Sequence, residues 1–229
     1  MDDQQNAIDQ YIGAGKEVLD TPVLLLDLDV LERNILKMSK TIIGEAGVGW
    51  RPHTKAMKNP DLARLCLDAG AHGVTCAKLG EAEVMADGGI TDILVANEIV
   101  GAKKIARLVD LCKRADIMVC VDQLDNAQQI DKAARAAGVR PRVLVEVDVG
   151  MGRAGIQPGA AAVELASQVS GLGNIRFAGL QTWESHTVAI SDTDEKKRQI
   201  LIALSQLNDT AERIRCTGVP VDIVSCGGS

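Results

Sequence analysis

Three short segments gather residue types able to do chemistry. The first is Trp50-Arg51-Pro52-His53-Thr54-Lys55-Ala56-Met57-Lys58. A lysine at a strand end, partly desolvated by the mouth around it, presents a freer amine for attack on an aldehyde and Schiff-base formation. Lys55, with His53 two residues before it, is therefore the first catalytic candidate; a plainly solvated lysine is the competing reading. The second segment runs from Val145 through Asp148 to Gly150-Met151-Gly152-Arg153-Ala154-Gly155. Glycines on both sides let backbone approach a ligand closely, and Arg153 offers permanently charged, planar donors to an oxyanion or phenolate. A strand-to-helix turn with a surface arginine is the alternative there. The third is Val221 to Ser225 followed by Cys226-Gly227-Gly228-Ser229, where successive backbone N–H groups can meet a phosphate; a loose tail is the plainer reading.

Something must hold these segments together, and the alternation of the chain supplies it. Compact apolar runs at Gly49–His53, Gly73–Ala77, Ile93–Ala96, Ile117–Val121, Val143–Val147, Phe177–Thr182 and Val221–Ser225 read as strands. Helical stretches separate them, at 60–69, 80–87, 102–113, 126–137, 160–170 and 195–215, several stopping at Gly70, Gly88, Gly138 or Gly218. A further helical spacing at Leu31, Ile35, Met38 and Ile42 precedes them. Strands apolar on both faces and joined by helices imply a parallel sheet covered by helices. Nearly every strand ends in a polar group: His53 and Lys55, Cys76 and Lys78, Asn97 and Glu98, Asp122, Asp148, Gln181 and Trp183, Ser225. Polar ends on all strands, rather than at one switch point, favour a TIM-type (β/α)8 barrel over an open doubly wound sheet. Seven strands are counted where closure needs eight, so the chain is expected to be truncated after the seventh, with residues 1–20 an N-terminal extension and 21–229 the barrel domain.

Composition excludes other classes. A formal net charge of −6 and 2% aromatics give neither an electrostatic footprint nor stacking platforms for nucleic acid. No apolar run approaches the roughly 20 residues that span a bilayer, and the start Met1-Asp2-Asp3-Gln4-Gln5 is unlike a signal peptide. Six cysteines without C-x-x-C spacing read as free thiols of a reducing compartment, so a cytoplasmic location is expected.

Taken in order, Thr21-Pro22 with the apolar run to Asp27, Arg51-Pro52-His53-x-Lys55, Ala96-Asn97-Glu98-Ile99-Val100-Gly101, Val145-Glu146-Val147-Asp148-Val149-Gly150-x-Gly152-Arg153-x-Gly155, Gly179-Leu180-Gln181 and Ser225-x-Gly227-Gly228-Ser229 resemble fold-type III enzymes dependent on pyridoxal 5'-phosphate (PLP). The resemblance is to the D-threonine aldolase and D-serine dehydratase branch, whose barrel is similar to the alanine racemase N-terminal domain. It implies Lys55 as the Schiff-base lysine, Arg153 facing the cofactor's phenolic oxygen or ring, and Gln181 and Trp183 beside that ring. Gly227, Gly228 and Ser229 fall in the phosphate cup, with Ser225 before them a further cofactor contact, and Asn97 and Glu98 at the substrate end. His186, in a segment that departs from the family, is a candidate acid, base or ligand toward the substrate, with a plain surface histidine the competing reading. It further implies a C-terminal β-domain outside this chain, a homodimer, and a divalent metal (Mn, Mg or Zn) with ligands beyond Ser229. The expected reaction is lyase chemistry on a D-β-hydroxy-α-amino acid, most simply retro-aldol cleavage to glycine and an aldehyde. Dehydratase-type elimination, racemisation and cofactor carriage without turnover are the alternatives. Three departures border the reaction centre: Met57 stands where a histidine is usual, Ala77 where glutamine is, and Trp183-Glu184-Ser185-His186 replaces a Tyr-x-Gly segment.

Overall fold

A computed structural model describes residues 11–227. Six strands form one sheet: β1 (Val74–Cys76), β2 (Asp92–Glu98), β3 (Asp116–Val121), β4 (Arg142–Glu146), β5 (Arg176–Gln181) and β6 (Ile223–Ser225). Every neighbouring pair is parallel and the spatial order equals the chain order, as winding around a barrel requires. The helices are α1 (Leu28–Ser39), α2 (Pro60–Asp68), α3 (Leu79–Asp87), α4 (Ala102–Leu111), α5 (Leu124–Ala137), α6 (Ala160–Ser170) and α7 (Thr193–Cys216). The last six occupy the six stretches read from the sequence. No pairing joins β6 back to β1 among the described residues, so the sheet is a half-barrel, not a closed one.

Strand alternation sorts the side chains onto two faces. Ile93, Val95, Ile117, Val119, Val121, Val143, Val145 and Val147 join one large core with the helices. Leu94, Met118, Cys120, Leu144 and Ala178 form a separate small cluster, the inner lining of the curl. Both faces are apolar, which is why the strands read as continuous hydrophobic runs.

The expected first strand, Gly49–His53, is reduced to a single bridge between His53 and Thr75. The Thr75 N–H reaches the Pro52 carbonyl at 2.9 Å and the Thr54 N–H reaches the Thr75 carbonyl at 2.8 Å. Earlier in the segment His72 donates to the Trp50 carbonyl at 2.9 Å, but the reciprocal bond would come from residue 52, a proline with no N–H. The ladder is broken there and resumes only as the single His53–Thr75 bridge.

The foot of the half-barrel, at the N-terminal ends of the strands, is fastened by charge. Arg142, buried at 7% exposure, donates from Nε to Asp116 Oδ1 and from Nη2 to Asp92 Oδ1, both at 2.7 Å. Arg51 adds a 2.9 Å bond from Nη1 to the same Asp92 oxygen. Burial alone would raise the Asp92 pKa, but Arg51 and then Arg142 outweigh it and hold the carboxyl below its ordinary value. Arg51 thus flanks Lys55 in sequence but serves the opposite end of the fold.

Candidate active site

Lys55 lies two residues beyond the His53–Thr75 bridge, on the mouth side. Thr54 between them is fully buried, its hydroxyl donating to the Thr75 carbonyl at 3.1 Å, which leaves Lys55 exposed over the opening. Its Nζ sits 4.7 Å from the centroid of the Trp183 ring, and the Arg153 guanidinium carbon lies 5.1 Å from the same centroid. Both are within cation–π range. Residues 98 positions apart, named separately from the sequence, therefore converge on one aromatic plane.

The neighbouring groups are held with care. The Lys55 N–H donates to His53 Nδ1 at 3.2 Å, so that nitrogen carries no proton. Burial, then the nearby Lys55 charge, lowers the His53 pKa against opposing effects of Glu81 and the Thr75 backbone, leaving a neutral imidazole at physiological pH. Arg153 rides on a loop tied shut at its base: Asp148 N–H to the Ile156 carbonyl and Ile156 N–H to the Glu146 carbonyl, both 2.9 Å. Asp148 Oδ1 accepts from the Gly150 and Gly152 N–H groups at 3.0 Å each. Burial tends to raise the Asp148 pKa, but these backbone donors outweigh it and bring it below its usual value. Gly155, at φ +106, closes the loop where a Cβ would stand 2.7 Å from the Asp148 nitrogen, so only glycine fits.

Beneath this rim lies a layer of acids, of which sequence reading assigned Glu98 to the site but not Glu146. Glu146 is 7% exposed, faces inward from β4 and pairs in register with Gln181. Its pKa is pushed up to about 7, first by burial and further by Glu98 and Asp122, against a Cys120 hydrogen bond and the Arg153 charge. Glu98 is raised too, by burial and then Asp122. Glu98 Oε1, Glu146 Oε2, Gln181 Oε1 and His186 Nδ1 are buried without partners, a concentration of orphaned acceptors that native interiors avoid unless something else satisfies them. The available signal was a charged residue interrupting a buried strand, Val145-Glu146-Val147.

The other expected site residues fall into place unevenly. Gln181 is buried, its Nε2 donating to the Thr182 carbonyl at 3.0 Å. Ser225 pairs with Gln181, and the Thr182 N–H reaches its carbonyl at 3.0 Å. His186 packs on the arginine loop, 3.2 Å from where a Cβ on Gly150 would stand. Asn97 commits its amide to the Ala77 carbonyl at 3.1 Å and its oxygen to the Glu98 N–H at 3.0 Å; it locks the strand end and leaves Glu98 as the inward group. Gly227 donates its N–H to Glu184 Oε2 at 3.2 Å, a partner not foreseen. Gly228 and Ser229 lie outside the described residues. Among the described residues no three His, Cys, Asp or Glu side chains come together as metal ligands, and no helix is long and apolar enough to cross a membrane.

The fold has relatives among known proteins. A D-threonine aldolase of Arthrobacter sp is 37% identical over 211 residues, covering 92% of this chain and 55% of the relative. A 3-hydroxy-D-aspartate aldolase of Paracoccus denitrificans is 35% identical over 219 residues, covering 95% and 56%. The crystal structure of D-threonine aldolase from Filomicrobium marinum superposes with a TM-score of 0.89 at 40% identity, over 91% of this chain and 56% of that one. The chain thus spans about half the length of the relatives it matches. Residues 26–229 match the family model described as alanine racemase, N-terminal domain. With that match over most of its length and its parallel half-barrel, the chain belongs to that family.

Proposed function

We propose that this chain forms the cofactor-bearing barrel of a PLP-dependent lyase that cleaves D-β-hydroxy-α-amino acids, with retro-aldol release of glycine and an aldehyde as the reaction. The observation carrying this reading is the meeting of Lys55 and Arg153 over Trp183. The residues fit the cofactor: an amine for its aldehyde, a guanidinium for its phenolic oxygen, an aromatic plane for its ring. The unpartnered Gln181 oxygen beneath adds a hydrogen-bond acceptor. Bound there, PLP supplies an electron sink for bonds at the substrate Cα. The protein's own share is to hold and protonate. Lys55 binds and releases the carbonyl, neutral His53 stands ready to accept a proton beside it, and Glu146, near neutrality, can hold or yield one under Arg153. Asp148 and His186 keep the arginine loop in position.

The resemblance to D-threonine aldolases supports the rest of the reading, namely a divalent metal acting as a Lewis acid on the substrate hydroxyl and a homodimer. The free cysteines support a reducing, cytoplasmic setting. The test is to incubate the full-length protein and its Lys55→Ala variant with PLP and D-threonine. Glycine and acetaldehyde are expected from the parent, with the variant losing both the products and the visible-edge absorbance of the lysine-bound cofactor. Pyruvate and ammonia from D-serine would identify elimination instead, and an unchanged spectrum in the variant would remove Lys55 from the role.

A further inference from the structure

We propose that Glu81 is a positioning residue for the cofactor-bearing amine: it grips Lys58 and, through it, sets the turn from which Lys55 projects. The inference deepens the cofactor reading above and rests on Lys55 having that role. Lys55 lies in the turn from Thr54 to Lys58, closed by the Lys58 N–H donating to the Thr54 carbonyl at 2.8 Å. The start of the turn is pinned by Thr54, which is fully buried and bonded to the Thr75 carbonyl through both its N–H and its hydroxyl. The far end is pinned by a side chain: Lys58 Nζ lies 3.4 Å from Glu81 Oε1.

Glu81 is placed for this by the neighbouring strand. It stands in the first turn of α3, three residues past the N-cap, Lys78. A glutamate at that position ordinarily reaches back to the N-cap N–H. Glu81 reaches one residue further, its Oε2 accepting from the Ala77 N–H at 2.8 Å, while the Ala77 carbonyl takes the Asn97 amide. One carboxylate thus ties the mouth end of β1 to the lysine turn, with an oxygen for each. Its side chain is 10% exposed. Burial alone would raise its pKa, but the Ala77 N–H and Lys58 outweigh it and hold the carboxyl below its ordinary value. Lys58 itself sits at φ +44, a left-handed conformation that strains a residue with a Cβ. A glycine would close the same turn without strain but would offer Glu81 no ammonium.

The test uses the full-length protein, its Glu81→Gln and Lys58→Met variants and the double variant. Glutamine keeps an oxygen for the Ala77 N–H, and Lys58→Met leaves Glu81 in place, so a glutamate that merely capped α3 would register neither change. The rise of the visible-edge absorbance of the lysine-bound cofactor is followed against PLP concentration. The half-saturating concentration reports capture of the cofactor, and the limiting rate reports attack by Lys55. Both single variants should lower the limiting rate about threefold, the effect one half-exposed ion pair can exert, and the double variant should lose no more than either. Unchanged limiting rates would overturn the proposal. Rates that move in opposite directions would also overturn it, because the two substitutions change the net charge with opposite sign and a plain field effect would follow the charge. Protection of the position-58 amide against hydrogen exchange, measured without cofactor, should fall in both single variants, and unchanged protection would count against the proposal equally. If protection falls yet PLP never attaches to the parent protein, the Lys55 reading fails while the hold of Glu81 on the turn stands.

Discussion

Replacing Glu146 by glutamine tests whether the half-barrel interior is strained by an acid with too few partners. The carboxyl is held at about 7, against an ordinary 4.5, with burial the largest cause. An acid whose native pKa lies above its unfolded value keeps its proton in the folded chain at pH values where the unfolded chain has released it. Stability contributed by such a group is complete below about pH 4.5, falls as the pH rises toward 7, and stays lost above that. With a tenfold change in proton affinity equal to about 1.4 kcal/mol, the folded chain at pH 8 carries a penalty of about 3 kcal/mol. At pH 5 most of that penalty is absent. Glutamine does not ionise, so the Glu146→Gln chain should gain on its parent by about 2 to 3 kcal/mol between pH 5 and pH 8. Urea unfolding of cofactor-free protein at several pH values, followed by circular dichroism, measures the gap. Two pH profiles that run parallel would show that Glu146 is not the strained group and would refute the reasoning.

Three further substitutions probe the frame. Gly179, at φ +144, brings β5 against the Ile223 carbonyl so closely that a Cβ would overlap its oxygen; Gly179→Ala should cost about 3 kcal/mol in urea unfolding and loosen the edge that carries Ser225 and Gly227. Arg142→Ala leaves Asp92 and Asp116 without their shared guanidinium and should cost about 2 to 3 kcal/mol, less than a fully enclosed pair because Asp116 is 62% exposed. Arg64→Ala, which breaks an exposed pair with Asp61 and a 2.6 Å bond to the Gly88 carbonyl, should cost only about 0.5 to 1 kcal/mol in the same assay.

Much of this was legible in the residues. Alternation of apolar runs with helical spacings gave all six strands and the helices between them, because a parallel sheet buried on both faces leaves a continuous hydrophobic signature. Lys55, Arg153 and Trp183 could be named one by one because each lies in the segment beyond a run that reads as a strand. Their meeting on one ring is a product of barrel curvature. Gly49–His53 misled because its composition suits a strand, while the missing donor of Pro52 matters only once His72 is known to lie opposite. Arg51 and Asn97 look free in sequence, yet each is drawn to a partner many residues away, Asp92 and Ala77. Glu184 gave no signal at all: its contact with Gly227 depends on the register of Gln181 against Ser225, which no local pattern encodes.

The ion network at the foot has an evolutionary corollary. Arg142, Asp116, Asp92 and Arg51 anchor the strands at the end remote from the reaction centre, so the rim segments can be exchanged, lengthened or re-lettered without unseating the scaffold. A lineage built this way is free to explore new substrates through its loops, and residues such as Met57 or the Trp183–His186 stretch are where such drift would first be written.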